Sequence, residues 1–194
     1  MSALRTICVY CGASTRVDAI YRETAARTGE LLAKSGFNVV YGGGRLGLMG
    51  IVADNALSHG THVTGIIPTL LKDIEGTHPG LSKVEIVDTM HTRKRRMSEL
   101  ADAFIILPGG FGTLDELFEI LTWRQLQMHD KPIVIINTKG YWDPLKALIQ
   151  NIIEEKFATP AHATFAKFVV TADEAIGVLT EEPAPELEFV GQHI

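Results

Sequence analysis

The chain has 194 residues, of which 46% are hydrophobic and 21% charged, and it carries a net charge of −5. These values suit one globular domain with a buried core and exclude a disordered chain, a coiled coil and a collagen-like repeat. The acidic balance excludes a surface that is a nucleic-acid footprint throughout, and no apolar run reaches the roughly 20 residues of a membrane helix.

Residues 1–5 lead directly into a strand-like run without the layout of a signal peptide, so a cytoplasmic location is expected. The first strand, 6–11, carries Cys8 and Cys11. A C-x-x-C pair within a strand points to opposite faces, so two reduced, buried thiols are expected and a redox pair is not. Helix 19–35 places Ile20, Ala25, Leu31 and Leu32 on an apolar stripe and stops at Gly36. Strand 37–41 and helix 48–58 follow, then strands 62–67 and 83–87, helix 89–101 and strand 103–107. Helix 113–128, strand 132–136, helix 143–157, strand 167–170 and helix 172–179 complete the pattern. Its strands Phe104–Leu107 and Ile133–Ile136 are unbroken apolar runs, as in a parallel sheet covered on both faces. The alternation predicts an α/β fold, Rossmann-like and doubly wound, with a mainly parallel sheet flanked by helices. Residues 1–180 form the expected nucleotide-binding domain, and the Pro- and Glu-rich segment 181–194 a loosely ordered tail.

In such folds ligands bind beyond the C-terminal ends of the strands, where two glycine clusters fall. Gly42, Gly44 and Gly47 satisfy G-x-G-x-x-G between a strand and a helix, which predicts a phosphate cradle that includes Gly43 and Gly44. The next strand ends without the acid that would hold a dinucleotide ribose, so a mononucleotide or sugar phosphate fits better than NAD. The competing reading is a tight turn and nothing more. The second cluster, Pro108-Gly109-Gly110-Phe111-Gly112-Thr113, also opens a helix and lacks the Gly-Lys-Ser/Thr of a Walker loop. Glu116 has two readings on spacing alone. It is a carboxylate leaning back toward a bound phosphosugar, or it closes a capping box with Thr113.

Arg93-Lys94-Arg95-Arg96 gathers four cations near a helix start, and helical geometry lets at most two of them face one ligand. The competing reading of the whole run is a solvated basic face, and it holds for at least one of Arg95 and Arg96. Trp123, Leu126 and Met128 form an apolar edge for core packing, or for a subunit contact. The seven histidines show no metal-ligand spacing, and no metal or cofactor is expected.

Taken together, these segments resemble the LONELY GUY (LOG) family. Pro108-Gly109-Gly110-Phe111-Gly112-Thr113-Leu114-Asp115-Glu116 is similar to its P-G-G-x-G-T-x-x-E signature, and Met90-His91-Thr92-Arg93-Lys94 to its M-H-x-R-K segment. Tyr41–Gly44 with Gly47–Gly50, Glu75-x-x-His78-x-Gly80-Leu81 and Thr122-Trp123-x-Gln125-Leu126 also look like family segments. The resemblance covers residues 5–180. It implies a cytokinin riboside 5′-monophosphate phosphoribohydrolase, which cleaves the N-glycosidic bond of N6-substituted adenosine monophosphates, and in many members AMP. It also implies a Rossmann-like fold and a homodimer or higher homo-oligomer. From the acidic balance and the absence of a membrane-length apolar run, neither nucleic acid nor membrane is expected as a partner.

By motif position, Arg93 and Glu116 are the implied catalytic pair. Glu75, Arg93, Lys94, Gly109, Gly110, Phe111, Gly112, Thr113, Leu114, Asp115 and Thr122 are the implied substrate contacts. Asp115 stands where many members have glutamate, and Arg95 and Arg96 where smaller or neutral residues are common. The older family label of lysine decarboxylase finds no support, since Lys94 among arginines has no recognisable pyridine site beside it. The alternative from another class is a non-catalytic carrier of a nucleotide or of molybdenum cofactor, which resembles this architecture.

Overall fold

The computed structural model describes residues 6–181, except the side chains of residues 73–75. The expected tail, apart from Glu181, lies outside the described residues.

Seven strands form one parallel sheet: β1 (Thr6–Tyr10), β2 (Asn38–Tyr41), β3 (Val63–Pro68), β4 (Lys83–Val87), β5 (Ala103–Ile106), β6 (Ile133–Ile136) and β7 (Lys167–Val169). Their order is β4-β3-β2-β1-β5-β6-β7. β1 pairs with β2 from Thr6 opposite Asn38 and with β5 from Ile7 opposite Ala103. The chain therefore builds outward from β1 to one edge, then returns to β1 and builds toward the other. The reversal leaves a crevice beyond the C-terminal ends of β1 and β5, the topological switch point of a doubly wound sheet.

The helices are α1 (Ala19–Lys34), α2 (Gly47–Ser58), α3 (Thr69–Glu75), α4 (Met90–Leu100), α5 (Phe111–Gln125), α6 (Asp143–Glu154) and α7 (Ala172–Glu181). The two faces of β1 feed two cores. Ile7, Val9 and Cys11 pack with Ala25, Leu32, Val52, Ala56 and Ile176 from α1, α2 and α7. Cys8 and Tyr10 pack with Met97, Leu117, Ile120 and Leu145 from α4, α5 and α6. The two cysteines are thus free, buried and on opposite faces, as the strand period requires. Among the described residues no helix is long and apolar enough to cross a membrane.

Four departures from the sequence pattern matter. The helix α3 goes unpredicted, because it has only seven residues and Pro68 offers no side-chain cap. α5 starts at Phe111, two residues before the expected Thr113, and Gly110 is its N-cap. It also stops at Gln125, and the turn through Gln127 (φ 58°) leaves Leu126 and Met128 exposed instead of in the core. Ile20 of the α1 stripe is exposed too.

Loops at the C-terminal ends of β1, β2 and β5 interlock. The N–H of Gly12 donates to the Pro108 carbonyl at 3.0 Å, and the Gly12 carbonyl accepts from Leu48 N–H at 3.0 Å. Gly47, at φ +59°, lies where a Cβ would overlap the backbone of Ala13 and Ser14. Both the left-handed conformation and the close approach demand glycine there.

Candidate active site

A cavity of about 540 Å³ opens at the switch point. Its walls come from the loop after β1 (Gly12, Ala13, Ser14), from Gly42, Leu48 and Met49, from Leu71 of α3, from Met90 and Arg93 of α4, and from the glycine turn into α5. That turn contributes Gly109, Gly110, Gly112, Thr113 and Glu116. Tyr21 and Tyr141 stand on a further wall.

Arg93 projects into this cavity because α4 begins at Met90, capped by the Thr89 hydroxyl that accepts from Thr92 N–H at 3.1 Å. Arg93 is 7% exposed. Nε donates to the Ile66 carbonyl at the end of β3, 3.2 Å away. Nη2 lies 3.6 Å from Oε1 of Glu116. The guanidinium runs so close over Gly42 that a Cβ there would overlap Nη2 and come 2.8 Å from Met49 Cε. The first glycine cluster is therefore used differently from the expected cradle. Gly42 makes room for Arg93, Gly43 packs down on Gly65, and the Gly44 carbonyl accepts from the Tyr41 hydroxyl. Neither Gly43 nor Gly44 lines the cavity, and the first turn of α2 is occupied by the Gly12 carbonyl.

Glu116 is 8% exposed. With Gly110 as N-cap it sits six positions into α5, too deep to reach back to the N-cap, and no capping box with Thr113 forms. Its carboxyl is pushed up to about 7 chiefly by burial, with Arg93 and Lys94 opposing and Asp115 and Glu119 reinforcing the rise. A carboxyl of this kind changes protonation near neutral pH, the condition for general acid or base work.

The N-terminus of α5 faces the same space. Its N-cap makes no side-chain hydrogen bond, and the first intrahelical bond is from Leu114 N–H to the Gly110 carbonyl. The N–H groups of Phe111, Gly112 and Thr113 precede that bond and lack intrahelical acceptors, so the helix end suits an anion.

The four cations of α4 divide as helical geometry requires. Arg93 alone reaches the cavity. Lys94, 5% exposed, pairs with Asp115 at 3.1 Å and Glu119 at 3.0 Å. Arg95 pairs with Glu99, and Arg96 with Glu85 and Glu99. Leu114, Asp115 and Thr122 lie on the outer face of α5, along a shallow groove with Phe118, Glu119 and Trp123. Lys94, Leu114, Asp115 and Thr122 are thus not brought to the cavity wall. Phe111 is 92% exposed and does not line the wall either. Glu75 ends α3, and its side chain lies outside the described residues. Among the described residues no cluster of His, Cys, Asp or Glu suits a metal, and no lysine lines the cavity.

Sequence reasoning missed Gly12–Ser14, Leu71, Tyr21 and Tyr141. The strand-end rule would have flagged the first group. Nothing local marks Tyr141, which reaches the glycine turn from 32 positions away.

Comparison with known proteins supplies a family and a fold. A family described as "Possible lysine decarboxylase" matches residues 49–179. A cytokinin riboside 5′-monophosphate phosphoribohydrolase of Arabidopsis thaliana is 42% identical over 184 residues, covering 95% of this chain and 85% of its own. One from Oryza sativa is 42% identical over 187 residues, covering 96% and 77%. In fold, the chain is similar to a molybdenum cofactor binding protein from Rippkaea orientalis (TM-score 0.71, 17% identity, 93% and 98% coverage). The molybdenum cofactor carrier protein of Chlamydomonas reinhardtii gives a TM-score of 0.71 at 15% identity, with 92% and 97% coverage. Those last two likenesses concern the fold alone. Identity above 40% across nearly the whole chain is of another order, and the chain belongs to the LONELY GUY family of cytokinin riboside 5′-monophosphate phosphoribohydrolases.

Proposed function

We propose that the protein hydrolyses the N-glycosidic bond of N6-substituted adenosine 5′-monophosphates, and of AMP, releasing free base and ribose 5-phosphate. The observation that carries this reading is the buried Glu116–Arg93 pair, set in one cavity beside the uncapped N-terminus of α5. The 5′-phosphate docks on the amides of the glycine turn, and this remote binding orients the ribose over Glu116. As the C1′–N9 bond lengthens, positive charge grows on the ribose. Ionised Glu116 stabilises that charge and takes a proton from the attacking water. The water oxygen adds to C1′, the departing base leaves with the bond's electron pair and takes a proton from solvent, and Glu116 then returns the water's proton to solvent. Arg93 holds Glu116 in place and contributes its charge to the same wall.

The carrier alternative shares the fold, yet nothing in a carrier calls for a neutral-range carboxyl against a guanidinium in the binding cavity. The implied substrate contacts that stand outside the cavity support a homo-oligomer, with the outer face of α5 as its contact. Two unpaired thiols support a cytoplasmic setting.

The test is incubation of purified protein with AMP and with isopentenyladenosine monophosphate, followed by chromatography for free base. Release of base that Glu116→Gln abolishes supports the assignment. Intact nucleotides, or full activity in that variant, refute it.

A further inference from the structure

We propose that Tyr141 is a positioning residue for the substrate's phosphate: its phenol holds the Gly109 carbonyl and so aims the glycine-turn amides into the cavity. The proposal rests on the phosphoribohydrolase reading above and adds a residue outside every motif that led to it.

The Tyr141 hydroxyl donates to the Gly109 carbonyl at 2.6 Å. A peptide group is planar and trans, so fixing the direction of this C=O fixes the Gly110 N–H that points the opposite way. That N–H finds no acceptor among the described residues, and both Gly109 and Gly110 line the cavity. A carbonyl without its donor would be free to turn a partial negative charge toward the anion that the turn receives. The phenol thus removes one repulsive orientation of the loop and selects the receptive one.

The phenol is itself held by contacts that do not involve Gly109. Its ring meets Tyr21 edge-on with centroids 5.7 Å apart, and Trp142 edge-on at 4.8 Å. The turn that delivers it follows β6 and is strained, with Lys139 at φ 57°. Three bonds pin this turn. Asn137 Oδ1 accepts from Trp142 N–H at 2.6 Å, Asn137 Nδ2 donates to Asp143 at 2.8 Å, and Lys139 reaches Asp18 at 3.0 Å. Strain that the surroundings over-determine in this way marks a position kept for what it presents.

The experiment compares wild type with Tyr141→Phe, which keeps the ring packing and removes only the hydroxyl. Calorimetry measures ribose 5-phosphate and, as the phosphate-free control, adenosine. Loss of one hydrogen bond weakens ribose 5-phosphate about five- to tenfold, while adenosine binding stays within twofold. With AMP as substrate, KM rises by the same factor and kcat changes little. Tyr141→Ala, which also removes the ring, weakens ribose 5-phosphate further. Three outcomes overturn the proposal: unchanged affinity in Tyr141→Phe, an equal loss for both ligands, or a wild type that does not bind ribose 5-phosphate. Because the calorimetry needs no turnover, a wild type that binds ribose 5-phosphate but releases no base refutes the reaction reading and leaves this comparison to decide the role of Tyr141.

Discussion

Replacing Glu116 with glutamine tests the site through stability as well as rate. The native carboxyl titrates at about 7 against an ordinary 4.5, with burial the main cause. Between those two values the folded protein keeps a proton that the unfolded chain has released. Stability therefore falls as pH rises through this interval, by about 1.4 kcal/mol per pH unit, and levels off above the native value. The ionised carboxylate costs the fold about 3 kcal/mol at about pH 8. Glutamine has the same shape and no charge, so it fills the place beside Arg93, whose guanidinium lies 3.6 Å from the native carboxyl, without the cost of a buried ion. The variant is expected to melt about 6–12 °C above wild type at about pH 8, with the gap closing as the pH falls toward 4.5. In the base-release assay the same variant loses about 10²–10⁴-fold in rate. The measurement is thermal unfolding of both proteins across about pH 4.5–8.5 in buffers of constant ionic strength. A gap that does not change with pH, or a variant less stable than wild type at the alkaline end, would refute the reasoning.

Three further outcomes are expected. Gly42→Ala puts a Cβ into the Arg93 guanidinium, and displacement of that side chain lowers kcat/KM about 100-fold with an unchanged far-ultraviolet dichroism spectrum; normal kinetics would show that Arg93 is free to move aside. Cys8 is fully buried and burial pushes its thiol far above the ordinary range, so Ellman's reagent labels Cys8 in the native protein at least about 1,000-fold more slowly than in the urea-unfolded chain. Rapid labelling of Cys8 would place it outside the core. Thr122→Arg adds a charge to the exposed outer face of α5 and shifts light-scattering mass toward the monomer; an unchanged mass would move the oligomer contact to another face.

Much of this protein is legible locally. Unbroken apolar runs such as Ile133–Ile136 announce buried parallel strands, and each helix except the short α3 shows its own period or stop. The candidate site is legible where a motif sits at a strand end, as with Gly109–Thr113, and where a single helix sets the direction of a side chain. It is least legible where one residue shift changes a role. Starting α5 at Phe111 instead of Thr113 takes Glu116 out of the capping box and leaves its carboxyl facing the cavity.

The amino-acid order by itself determined the strand and helix succession, the parallel sheet and the two glycine turns, because periodicity and turn chemistry act over a few neighbouring residues. Tertiary structure decided which glycine gives way to Arg93, which side of α5 Lys94 pairs with, and that Tyr141 bonds to Gly109. Those outcomes depend on separate loops meeting beyond the sheet, and no local pattern encodes the distance between segments that only folding brings together.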